Sequence, residues 1–216
     1  MNRNILLYLF ILLMFNSEFS LFLNPFVRED SKSLIAIEDA TISANEPTNN
    51  FGEDIRLKVG IEVDVLEAFI KFDLSKAPRD YNRIILKLEI TDISSSGYLE
   101  FYETNTSWSE YTITWDNAPQ QEVRVASGFI YTVGNINFEL TEDILINQNM
   151  YSFCVTFSSQ KIEITSRECT KEYTPPKIVI YFNTSNLSNI FTSIFVGIIT
   201  SAILGLVLHR IYYRKD

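Results

Sequence analysis

The chain has 216 residues, 46% of them hydrophobic, with 18 basic residues, 27 acidic residues and a single histidine. A formal charge of −9 repels nucleic acid and anionic lipid headgroups, so neither is expected as a partner. The histidine is His209, close to the C-terminus, so the preceding chain has no imidazole for a Ser-His-Asp or Cys-His nucleophile or for a histidine zinc site.

Arg3 precedes Ile5–Phe15, an uninterrupted apolar run. That length fits the apolar region of a signal peptide better than a membrane span. Residues 1–27 therefore read as a signal peptide or an N-terminal apolar segment. An uncleaved anchor extending over Leu21–Phe26 is the other reading. Setting aside both ends of the chain removes Arg3, Arg210, Arg214 and Lys215, along with Glu18 and Asp216. The middle then holds 14 basic and 25 acidic residues, a formal charge of −11. Its length, about 160 residues, suits one well-cored domain.

The middle reads as strands. Leu34–Ala44 suggests a first strand or pair, and Leu57 with Val59 a second. Ile61, Val63 and Val65 suggest another short strand. Ala68–Ile70–Phe72–Leu74 alternates, and so does Ile84–Leu86–Leu88–Ile90, with Arg83, Lys87 and Glu89 opposite. Leu99–Phe101, Ile136–Phe138–Leu140, Phe153–Val155–Phe157, Ile162–Ile164 and Ile178–Ile180–Phe182 follow the same period of two. Turn residues separate them at Pro47–Gly52, Pro78–Asn82, Ser94–Gly97, Asn117–Pro119, Gly134–Asn135 and Pro175–Pro176. Only Thr141–Asn147 has a helical start, with Thr141 as N-cap. Many short strands at this spacing predict an all-β chain, an antiparallel jelly-roll-like β-sandwich over residues 34–182.

Cys154 and Cys169 are the only cysteines. Outside the cell a lone pair is expected to form a disulfide, worth about 3 kcal/mol for a loop of this size. Two separate thiols are the alternative. Residues 183–189 read as a short polar stalk. Asn105, Asn183 and Asn186 each head an N-x-[ST] triplet and are candidate glycosylation sites.

Ile190–Leu208 is a run of nineteen residues without a charge, long enough for a transmembrane helix. The basic residues in 209–216 mark that tail as cytoplasmic. The expected protein is thus single-pass in the cell membrane, with residues 34–182 outside. Ser193, Gly197, Ser201 and Gly205 recur every four residues and predict a homodimer through one helix stripe.

Several segments carry a family resemblance. Asp39-Ala40-Thr41-Ile42 is followed by Pro47, Thr48 and Asn50-Phe51-Gly52. Phe69–Ser75, Trp108-Ser109-Glu110, Thr112–Trp115 and Asn117-Ala118-Pro119 come next. Ser166-Arg167-Glu168 and Pro175-Pro176 complete the set. Together they resemble the DNRLRE-type domain of carbohydrate-binding module family 96. The resemblance implies a jelly-roll sandwich that binds polysaccharide, often with calcium, and usually beside a lyase or hydrolase domain. No such catalytic domain lies within these residues.

The candidate sugar contacts are Trp108, Tyr111 and Arg167. Trp108 could stack on a sugar ring or pack a loop; Trp115 is expected in the core. Arg167 could grip a uronic acid carboxylate or pair with Glu168. Asp39, Asn50 and Asp73 are oxygen donors beside turns, suited either to calcium or to capping local amides. The expected function is non-catalytic binding of polysaccharide or glycoconjugate at the cell surface. The rival is a structural or adhesive envelope protein that binds protein partners without sugar specificity. A glycosidase would need a selected carboxylate pair, and no motif selects one.

Overall fold

Alternating apolar residues are buried on one side of nearly every strand, and this decides the architecture. The computed structural model describes residues 27–140, 149–169, 173–185 and 187–212. It contains β1 (Val27–Ser43), β2 (Arg56–Ile61), β3 (Val65–Asp73), β4 (Arg83–Ile93) and β5 (Gly97–Thr104). β6 (Arg124–Ile130), β7 (Gly134–Leu140), β8 (Met150–Phe157), β9 (Ile162–Thr165) and β10 (Lys177–Ser185) follow. A helix, α1 (Leu187–Tyr212), ends the described chain. The chain divides into one unit of Asp30–Phe182 and another made of Met1–Glu29 with Asn183–Asp216.

Within Asp30–Phe182 the strands pair antiparallel in the order β1-β10-β4-β9-β2-β3-β8-β5-β6, with β7 on the other side of β4. The order folds over into two layers. β1, β3, β8, β5 and β6 make the front layer. β10, β4, β7 and β9 make the back layer. β2 serves both: Arg56–Val59 pairs with β9, and Gly60–Ile61 pairs with β3. This is the expected antiparallel sandwich.

The space between the layers is filled by the residues that the period of two selected. Ile70, Phe72, Leu86, Leu88, Leu99, Phe101, Phe153, Val155, Ile162, Ile164, Ile178 and Ile180 are all buried there. Phe153 sits edge-on to Phe72, Phe101 and Tyr151, with ring centroids 6.0, 6.1 and 4.9 Å away. Such contacts add to the free energy of burial.

The first element is a single strand of 17 residues, one of the two forms expected. Two expectations change. Ile61, Val63 and Val65 do not form a strand of their own. They straddle the β2–β3 turn, with Val63 90% exposed, because the apolar period runs on through a bend. The polar residues expected as a stalk instead lengthen β10 as far as Ser185 and open α1 at Leu187.

The expected signal segment and the helix at Thr141–Asn147 lie outside the described residues. α1 is 26 residues long. Among the described residues no helix is long and apolar enough to cross a membrane. The side chains of Ile190–Ser193, Leu204, Val207 and Leu208 fall outside that description, so the expected crossing rests on sequence.

Candidate functional site

The outer face of the front layer is divided in two. One half is covered by the loop of residues 105–123, between β5 and β6. The other half, β5 and β6 themselves, is left bare by the described residues.

The covered half is a second apolar core. Ala40 and Ile42 of β1, Phe69 of β3 and Cys154 of β8 point outward from the sheet, and Trp108 and Ile113 close over them. Trp108 is only 7% exposed. Its ring lies edge-on to Phe69 at 5.8 Å, and its indole N–H donates to Ser152 Oγ at 2.7 Å. Lys71 reaches over the same ring at 4.3 Å; its ammonium bonds to the Glu38 carboxylate and the Trp108 carbonyl. A buried lysine needs such compensation. Trp108 is therefore loop packing and not a sugar platform. Trp115, expected in the core, is only partly buried and packs at the edge of this cluster.

A polar clamp locks the loop in place. Glu110 Oε2 accepts from the Asp39 backbone N–H at 3.3 Å, and Oε1 accepts from the Arg167 guanidinium. Arg167 also pairs with Glu168 at 2.7 Å, and its backbone N–H donates to Asp39 Oδ2 at 2.8 Å. Asn50 Nδ2 donates to the carbonyls of Glu110 and Ile113, both at 2.7 Å. A Cβ on Gly52 would stand 2.0 Å from the Glu110 carbonyl oxygen, so only glycine lets the loop settle there. Burial, opposed by the Arg167 N–H, pushes the Asp39 carboxyl up to about 8. Asp39 Oδ1 and Arg167 Nε are buried without a hydrogen-bond partner among the described residues.

The segments that carried the resemblance thus meet in the clamp. Arg167 is committed to Glu110 and Glu168 rather than free to grip a uronate. Tyr111 alone among the three expected sugar contacts stands open, 65% exposed.

The expected calcium donors do not converge. Asp39 is buried and bonded to Arg167, Asn50 holds the loop carbonyls, and Asp73 caps the Ser75 N–H at 2.8 Å. Hydrogen bonds from Ser75 hold the Asp73 carboxyl below its usual value. Among the described residues no group of three or more His, Cys, Asp or Glu is placed to hold a metal ion. All three expected donor side chains are thus engaged with groups of the chain itself.

The cysteines are both free and buried, so the expected disulfide is absent. Cys154 belongs to the front layer and its thiol donates to Glu67 at 3.4 Å. Cys169 follows β9 of the back layer and accepts from Arg56 Nη1 at 2.9 Å. Each sulfur is held by a different neighbour in a different layer. Asn105 is exposed, its side chain turned onto the Ser107 N–H and hydroxyl at 3.1 and 2.6 Å. Asn183 lies in β10, and Asn186 is outside the described residues.

The bare half was not expected. On β5, Leu99 and Phe101 point into the sandwich, so Tyr98, Glu100 and Tyr102 point out. Across the ladder Tyr98 faces Phe129, Glu100 faces Ser127 and Tyr102 faces Arg124. Tyr98 and Phe129 are 54% and 53% exposed, with rings 5.2 Å apart at 68°. Glu100 accepts from Arg124 at 2.6 Å and from the Tyr102 hydroxyl at 3.1 Å. The row from Tyr98 to Tyr102 is about 13 Å long at the usual strand rise. Exposed rings beside a fixed carboxylate and guanidinium can stack on a sugar and bond its hydroxyls. The signal for this row was the same alternation that located β5.

The aligned parts of two solved structures, wild-type BuGH86 and its E322Q variant, each in complex with neoagarooctaose, are 10% and 9% identical to this chain. Each alignment covers 74% of this chain and 20% of the other, with a TM-score of 0.37. This chain therefore spans only a fifth of those proteins. No curated protein matches. The model of carbohydrate-binding module family 96 matches residues 30–182, and the chain belongs to that family.

Proposed function

We propose that this chain is a cell-surface glycan-binding protein without catalytic activity of its own, and that it binds through the outer face of β5 and β6. The observation that carries the reading is the exposed ring pair of Tyr98 and Phe129 beside the Glu100–Arg124 pair, on a module of a carbohydrate-binding family. Tyr111, at the rim of the covering loop, is the one earlier candidate left available to a ligand.

The same reading places α1 in a bilayer. Its 26 residues span about 39 Å at helical rise, and Ile190–Leu208 carries no charge. Ile194, Phe195, Ile198, Ile203 and Leu206 are all more than half exposed, an unfavourable arrangement in water. The Thr200 and Ser201 hydroxyls donate back to the Val196 and Gly197 carbonyls at 2.8 Å, as hydroxyls do where no water is at hand. The sandwich then lies outside the cell and the basic tail inside. Ser193, Gly197, Ser201 and Gly205 supply the stripe through which two copies would pair. Asn105 and Asn183 remain candidates for glycosylation, Asn105 being exposed at a loop start.

A glycan array probed with the full chain in detergent tests the binding reading. Binding without turnover, unchanged by a calcium chelator, is expected. Absence of binding together with capture of envelope protein would favour the adhesive rival. Alkaline carbonate washing of membranes tests the anchor: the protein should stay in the pellet, and its release would discard the span.

A further inference from the structure

The bare row does not end at the edge of the front layer. β6 pairs only with β5, and β7 only with β4, so the described sheet leaves two strand edges side by side. Between them lies an open cleft of about 340 Å³, lined by Ala126–Ile130 and Ile136–Glu139. Its size is that of a small-ligand site. Phe129 and Ser127 belong both to the row and to the cleft, so the two are continuous. Phe138 packs against the β6 backbone at Gly128, where a Cβ would stand 2.7 Å from the ring; a side chain there would crowd the cleft.

Charge decides what such a surface accepts. Among the described residues of the row and the cleft the charged side chains are Glu100, Arg124 and Glu139. Arg124 is already bonded to Glu100, which leaves Glu139 in excess. Lys87 faces Asn137 from β4, but Glu89 and Glu139 flank it on the same outer face. The wider unit is acidic as well. A polyuronate or sulfated chain would meet net repulsion, since the one guanidinium of the row is already neutralised by the Glu100 carboxylate. What is on offer is neutral: two aromatic rings, the Ser127 hydroxyl, the Asn137 amide and strand edges with backbone groups to spare.

We infer that the ligand is an uncharged, hydroxyl-rich polysaccharide, bound along its chain across the Tyr98 and Phe129 rings and on into the cleft between β6 and β7. This rests on the glycan-binding reading above and adds to it the ligand class and the second half of the site. Row and cleft together exceed one sugar ring, so internal stretches of a chain bind as well as its ends.

Affinity electrophoresis of the full chain in detergent tests the inference. The gels carry agarose, a neutral β-glucan or a galactomannan on one side, and alginate or carrageenan on the other. Retardation is expected in at least one neutral gel and should not change when salt is raised tenfold. Phe129→Ala and Asn137→Ala should each weaken it at least about tenfold, with circular dichroism unchanged. Retardation only by alginate or carrageenan, weakened by salt and by Arg124→Ala, would overturn the neutral class and leave glycan binding standing. Neutral retardation indifferent to Asn137→Ala would overturn the cleft. No retardation in any gel would remove the glycan-binding reading itself.

Discussion

The two halves of the front layer's outer face begin from the same strand chemistry and end in opposite states. Over β1, β3 and β8 the outward residues are Ala40, Ile42, Phe69 and Cys154, apolar and small enough to accept Trp108 and Ile113. Over β5 and β6 they are Tyr98, Glu100, Ser127 and Phe129, amphipathic and left uncovered by the described residues, while Tyr102 at the boundary packs against the covered cluster. The first half uses its aromatic residue for cohesion. The second keeps its aromatic residues at the surface, where they serve folding least. An aromatic side chain in a binding module is thus a poor guide until it is known whether a loop lies on it.

The largest expected effect strikes the covered half. Trp108→Ala removes the lid of the second core and leaves Lys71 without its ring and Ser152 with only the Thr104 hydroxyl as donor. A loss of about 3–5 kcal/mol is expected, measured by urea denaturation. A loss below 1 kcal/mol would mean that the loop does not depend on this residue.

Asp39 sharpens the same half through pH. Burial raises its carboxyl from 3.8 to about 8, so the fold favours the protonated form. That contribution is complete below pH 3.8 and is lost as pH climbs towards 8, because the unfolded chain gives up its proton first. The groups facing Asp39 are Arg167, Glu168 and Glu110. Asp39→Asn should match wild type in acid, gain on it steadily through this window and level off above it. A gain of several kcal/mol at the top of the window is expected, since each tenfold change in proton affinity is worth ~1.4 kcal/mol. Parallel stability curves for the two proteins would refute the assignment.

The bare half should respond in the opposite way. Tyr98→Ala should change stability by less than about 0.5 kcal/mol, as exposed positions do, while weakening glycan binding about tenfold. A variant that unfolds instead would mean that the row is structural. The smallest effect concerns the cysteines: a reducing agent should leave the melting temperature unchanged, because no disulfide is there to break. A drop of several degrees would contradict the free thiols.

Much of this was legible in the sequence. The alternation of Ile84, Leu86, Leu88 and Ile90 located β4 and its buried face, because period-two burial is a local property. It failed at Ile61–Val65, where an apolar period continued through a turn. The fate of Trp108 could not be read locally. It depends on Ser152, 44 positions away, and on Lys71, whose side chain is buried only once the loop has folded over it. The two cysteines are near in sequence, yet Cys154 sits in β8 of the front layer and Cys169 follows β9 of the back layer. The alternation of Leu99 and Phe101 puts Tyr98 on the wet side of β5; what sequence did not reveal was that no described residue covers it.

β2 holds a further consequence. It leaves one ladder for another at Gly60, whose φ of +144° suits a residue without a side chain. Neither layer can then peel away while the other stays intact, because a single short segment stitches both. Amide exchange in β3 and β9 should accordingly slow to a shared rate, the mark of a body that opens all at once.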